Sequence, residues 1–98
     1  MTHEECNAAL DEQRKLIDGI DRRIVQMLNE RARVVGVIGD LKQQAQIRVY
    51  EPKREELVHA NIRAANEGPL RDDALKRIYE RIIDEMRTLQ RDRMSSKP

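Results

Sequence analysis

From Leu10 to Lys42 the chain reads LDEQRKLIDGIDRRIVQMLNERARVVGVIGDLK, and the spacing of its apolar residues decides the fold. Leu10, Ile17, Ile24, Arg31 and Ile38 share one seam position; Gln13, Ile20, Met27, Val34 and Leu41 share the other. This alternation of three and four marks one face of a long amphipathic helix. No proline interrupts it. Gly19, Gly36 and Gly39 each weaken a helix by about 1 kcal/mol relative to alanine, and the unbroken seam outweighs them. Arg31 stands inside the apolar face, with Met27, Leu28, Val34 and Val35 around it. A guanidinium cannot be deprotonated there and is costly to bury without an anion. Another part of the protein must supply that anion, or a ligand must.

Working outward, the first helix is expected from about Ala9 to Gln44, followed by a loop through Ile47 to Tyr50. Pro52 suits the first turn of a second helix that runs to about Ala65. Asn66, Glu67, Gly68 and Pro69 form a stop-and-turn cluster. A third helix follows from about Arg71 to Arg93, with Leu75, Ile78, Tyr79, Ile82, Ile83, Met86 and Leu89 on its buried side. The fold class is all-α: one domain over residues 1–98, three helices with one very long, and frayed tails at 1–8 and 94–98. Some 35 residues of helix extend about 50 Å, whereas a compact monomer of this size has a radius of gyration of about 13 Å. The two shorter helices cannot cover so long a seam. A homodimer that pairs the long helices is the economical solution; the alternative is a break near Gly36 or Gly39 and an ordinary monomeric bundle.

Composition narrows the function. Hydrophobic residues are 39% and charged residues 38%, with no Trp, no Phe and only Tyr50 and Tyr79, as expected of a charge-rich helical protein. Nineteen basic residues against eighteen acidic ones leave no bulk field to attract nucleic acid or a membrane. The lack of aromatics removes the stacking platforms of single-strand binding. Cys6 stands alone, so a reducing compartment is expected. Met1 to Asn7 is polar without an apolar run, unlike a secretory signal, and no stretch approaches membrane-spanning length. The expected location is the cytoplasm.

Several chemistries lack their residues. Serine occurs only as Ser95 and Ser96, His3 and His59 stand apart, and neither metal-ligand spacing nor a phosphate-cradling glycine loop is present. No metal or cofactor is expected. Arginines, a lysine, carboxylates and a glutamine remain, a set that binds and stabilises charge. Arg14 and Lys42 flank the seam 28 residues apart, or about 42 Å along one helix, so one chain cannot bring them together. Arg31 and Lys42 are about 16 Å apart, within reach of one elongated site, and an antiparallel partner could add its own Arg14. Singly, Arg14 and Lys42 read as solvated charges lying over apolar surface. Gln90 extends the stripe of Tyr79, Ile83 and Met86, where an amide can donate to a buried acceptor or simply reach solvent. Glu55 shares a face with Val58 and Ile62, though acidic residues also favour a first helical turn. Arg54 suits a surface ion pair equally well.

Gln13 to Asp21, Leu28-Asn29-Glu30-Arg31, Gly39-Asp40-Leu41-Lys42 and Glu51-Pro52-Lys53-Arg54-Glu55 together resemble the all-helical chorismate mutases, over roughly Leu10 to Gln90. The resemblance implies an intertwined helical homodimer that rearranges chorismate, a dianion, to prephenate. It implies that Arg14 crosses into the partner's site to hold one carboxylate and that Arg31 holds a carboxylate from its own chain. Lys42 and Gln90 would contact the ether oxygen, and Lys42 a carboxylate as well. Glu55 would hold the ring hydroxyl, with Glu51 and Arg54 on the same wall. Two positions depart from a closely similar family member: Glu51 stands where it has an aspartate, and Met86 where it has a serine, which removes a hydroxyl from the carboxylate pocket. Isochorismate–pyruvate lyases share the fold and much of the cationic pocket. A non-catalytic helical interaction module would explain the heptad but not the convergence of Arg31, Lys42, Glu55 and Gln90. Family members are often fused to, or docked on, other enzymes of aromatic amino-acid synthesis.

Overall fold

The structure, a computed structural model, describes residues 1–96 as three helices: α1 (His3–Gln44), α2 (Pro52–Ala65) and α3 (Asp72–Ser96). No strand occurs among the described residues, and no helix there is long and apolar enough to cross a membrane. Gly19, Gly36 and Gly39 do not interrupt α1. The chain divides into two compact units, Met1–Arg33 and a second that begins at Val34.

In the first unit, α1 starts at His3, not near Ala9, so the expected frayed segment 1–8 is corrected. Thr2 and Glu5 form a capping box: Thr2 Oγ1 accepts the Glu5 N–H at 3.0 Å, and Glu5 Oε2 accepts the Thr2 N–H at 3.4 Å. Two helix-end donors are satisfied locally, and Glu4 and Glu5 complement the positive end of the helix. Along this unit Leu10, Ile17, Ile20, Ile24 and Met27 all remain exposed, Ile17 by 56% and Met27 by 67%.

The second unit holds the end of α1 with α2 and α3. Helix α1 closes in a Schellman arrangement: the Ile47 N–H bonds the Lys42 carbonyl at 2.8 Å and the Gln46 N–H bonds the Gln43 carbonyl at 3.2 Å. Gln46 takes the left-handed position, φ 58°, that glycine usually fills. Between α2 and α3 the Asn66 side chain organises the turn. Its Nδ2 donates to the Leu70 carbonyl and to Asp72 Oδ1, and its Oδ1 accepts the Gly68 N–H. Glu55, Val58 and Ile62 of α2 are half-buried, on the side facing α3 as their spacing predicts.

Ile83 is buried on α3, and Leu75, Tyr79, Ile82 and Met86 are half-buried. Ile78 and Leu89 lie on the exposed margin of that stripe, contrary to the expected inner face. The apolar stripe is wider than the surface covered within this unit. Helix α3 continues past Arg93 to Ser96, which corrects the expected fraying from 94; residues 97–98 of that tail lie outside the described residues.

Candidate active site

Lys42, near the end of α1, is an enclosed cation. Its side chain is 13% exposed. Its Nζ sits 2.7 Å from Glu51 Oε1 and donates to the Val49 carbonyl at 3.1 Å. The Lys42 carbonyl meanwhile receives the Ile47 N–H, so the chain reversal after α1 is tied to both ends of this one residue. Glu51 is the N-cap residue of α2, yet its side chain makes no cap hydrogen bond. Its carboxylate is turned to Lys42 instead. An acidic residue at a helix start normally serves the free N–H groups, and here it serves a cation from another helix.

Gln90 of α3 is buried, at 6% exposure, and its Nε2 donates to the Val35 carbonyl of α1 at 3.2 Å. Gly36 and Gly39 allow this approach. A Cβ on Gly39 would lie 3.4 Å from Gln90 Cγ, and one on Gly36 would collide with the Arg93 guanidinium. Arg93 Nη2 also bonds Asp40 Oδ2 at 3.0 Å. Val35, Gly39 and Lys42 fall at i, i+4 and i+7 on one face of α1. The Gln90 amide therefore rests on that face, bonded to Val35, which lies seven residues or about 10 Å along the axis before Lys42, and packed against Gly39, three residues before it.

Glu55 and Arg87 make a contact between α2 and α3. Arg87 Nη2 donates to Glu55 Oε1 at 3.0 Å and lies 3.1 Å from Asp84 Oδ1. The guanidinium carbon stands 5.2 Å from the centre of the Tyr50 ring, a cation–π distance. Sequence reasoning passed over Arg87 because the stripe was drawn through 79, 83, 86 and 90. The signal was Ile83, Arg87 and Gln90 at i, i+4 and i+7. It also treated Gly36 and Gly39 as helix weakeners, although their spacing of three puts both on the side where α3 approaches.

The remaining candidates are more solvated. Met86 is half-buried and Arg54 exposed. In the first unit, Arg14 is exposed and pairs with Asp11 at 3.2 Å. Arg31 is half-buried, and no described residue gives it an ion pair or hydrogen bond. A groove of about 370 Å³ between α2 and α3 is lined by Glu56, His59, Arg63 and Lys76 among others and contains none of the eight candidates. A groove of about 220 Å³ reaches Glu55 and Arg87. Neither of these two grooves is lined by Lys42 or Gln90. Among the described residues no cluster of His, Cys, Asp or Glu could hold a metal ion.

Residues 13–91 match the family model described as chorismate mutase type II. A bifunctional chorismate mutase/prephenate dehydratase of Neisseria gonorrhoeae is 38% identical over 78 residues, covering 80% of this chain and 21% of that protein. The chain thus spans about a fifth of the length of this curated relative. A chorismate mutase of Methanocaldococcus jannaschii is 29% identical over 83 residues, covering 84% of each chain. Among solved structures, a chorismate mutase from Thermus thermophilus superposes with a TM-score of 0.83 at 32% identity, over 85% of this chain and 94% of that one.

Proposed function

This chain belongs to the chorismate mutase type II family, and from that premise we propose that it rearranges chorismate to prephenate. One observation carries the reading most directly: the Gln90 amide is bonded to Val35 and packed on Gly39, on the face of α1 that also carries the enclosed Lys42. These are two N–H donors of different charge on one face of α1, the equipment that a developing oxyanion needs.

The proposed reaction is intramolecular. A C–O bond breaks, a C–C bond forms, and neither a nucleophile nor an obligatory proton transfer is required. Negative charge grows on the ether oxygen as the C–O bond lengthens. Lys42 and Gln90 stabilise it more in the transition state than in the bound substrate. Arg31 and Arg14 of the partner subunit hold the two carboxylates and fold the side chain over the ring in a reactive conformer. Glu55 accepts the ring hydroxyl, Glu51 and Arg54 line the same wall, and Met86 presents an apolar surface where a hydroxyl would otherwise help bind a carboxylate. Support for the arginine roles comes from the sequence resemblance, and for Arg31 also from its lack of an anion among the described residues.

The homodimer belongs to the same proposal, with α1 of each chain covering the other. The exposed row of Leu10, Ile17, Ile20, Ile24 and Met27 supports it, because an apolar row of this length marks an interaction surface. Cytoplasmic location and docking to another enzyme of aromatic biosynthesis complete the reading. The bifunctional name of the Neisseria relative supports the latter.

The experiment is to incubate the purified protein with chorismate and, separately, with isochorismate, and to identify products by chromatography. Prephenate from chorismate is expected. Pyruvate and salicylate from isochorismate alone would assign the pocket to the lyase reaction. Conversion of neither would favour the interaction module.

A further inference from the structure

A pocket for a dianion that also contains two carboxylates has an electrostatic problem. Glu51 and Glu55 are half-buried, and each would repel the substrate if left uncompensated. Lys42 answers for Glu51 at 2.7 Å. Among the described residues only Arg87 answers for Glu55. Both side chains of that pair are 24% exposed, so water screens it only in part. Arg87 bonds Oε1 alone and leaves Oε2 without a partner among the described residues.

The guanidinium is itself fixed from three sides, by Glu55, by Asp84 one turn earlier on α3, and by the face of Tyr50. Its Nε is buried with no hydrogen-bond partner, so these contacts set its position even at the expense of one donor. Tyr50 immediately precedes Glu51, and Gln90 lies one turn beyond Arg87 on α3. Arg87 therefore ties the segment that opens α2 to the helix that carries the amide donor.

We propose that Arg87 is a positioning residue for Glu55: it neutralises and orients one carboxylate oxygen so that the other can accept the substrate hydroxyl beside a dianion. The inference rests on the mutase reading above and deepens it, by naming what lets an acidic residue line a site for an anion. Arg87 acts through Glu55 and does not itself touch the reacting atoms. It strengthens binding of substrate and transition state alike, so its loss falls on KM more than on kcat.

The test is steady-state kinetics on Arg87→Met, Arg87→Lys, Glu55→Gln and the double variant Glu55→Gln/Arg87→Met, with thermal unfolding followed in parallel. Arg87→Met is expected to raise KM for chorismate about tenfold while kcat stays within about threefold. Arg87→Lys, which keeps the charge, should recover KM to within about threefold of the parent. With Glu55→Gln already in place, adding Arg87→Met should change kcat/KM by less than about twofold, because the charge to be neutralised is gone. An undiminished tenfold effect in that background would overturn the proposal, since Arg87 would then act on the substrate or on the fold. An unchanged KM in Arg87→Met would overturn it as well. Should Arg87→Met fail to fold, Arg87→Gln carries the same comparison. A parent protein inert towards chorismate would remove the mutase reading and this inference together, whereas an active parent with an unaltered Arg87→Met removes only the inference.

Discussion

Lys42 has three N–H bonds, and its own unit engages the ammonium with Glu51 and the Val49 carbonyl, which leaves one bond to offer. Gln90 has two amide N–H bonds and spends one on the Val35 carbonyl. That carbonyl can only accept, so it also decides which end of the amide is nitrogen. A donor already held by the scaffold needs little reorganisation when charge appears on a nearby oxygen. Gln90→Leu preserves the volume of a buried side chain and removes the donor. It should lower kcat by about 100-fold, the size of effect seen when one such donor is deleted, while stability falls by no more than about 1.5 kcal/mol for the lost hydrogen bond. Turnover assays and thermal unfolding measure the two effects separately. Lys42, Glu51, Glu55 and Gln90 were singled out in the sequence by the resemblance to the all-helical mutases, since taken singly Lys42 and Gln90 read as solvated side chains. Arg87 was not, because a charged residue beside an apolar helical stripe ordinarily reads as solvated, and only the fold shows which carboxylate it meets.

Among the elements, periodicity made the three helices and most of their ends legible. It gave the end of α1 at Gln44 and both bounds of α2. The start of α1 was missed because Met1 to Asn7 is polar, and polarity outweighed the short-range signal Thr2-x-x-Glu5, whose reciprocal hydrogen bonds begin the helix. The glycines were misjudged for a different reason. A propensity scale sees only the helix that contains them, whereas Gly39 is valuable for the space it gives Gln90 of another helix. The end of α1 supplies its own prediction. Gln46 holds a left-handed φ of 58° in a turn that needs its N–H but not its side chain. Gln46→Gly should remove that steric cost and raise stability by about 1 kcal/mol, measured as an increase in the midpoint of thermal or urea unfolding. A decrease would mean that the glutamine side chain makes a stabilising contact elsewhere.

At the scale of the whole molecule, the sequence argued from length that one chain could not cover its longest helix, and the exposed apolar row of the first unit agrees with that argument. Burying such a row in a pair of chains contributes on the order of 25 cal/mol for each Å² of apolar surface removed from water. Two charges in the middle of the row should therefore prevent association. Ile17→Glu/Ile24→Glu is expected to sediment as a monomer at micromolar concentration and to lose prephenate formation, because Arg14 of the partner subunit would no longer be supplied. An active monomer would contradict the shared site. The central claim is that Lys42 of one chain and Arg14 of the partner subunit act on the same dianion, and mixing two inactive proteins tests it most directly. Arg14→Ala and Lys42→Ala should each be inactive as homodimers. Unfolded together and refolded as a mixture, they should recover about a quarter of the parent activity, since half the dimers are mixed and each mixed dimer holds one intact site of two. A mixture as silent as its components, or full activity in either variant alone, would contradict the account.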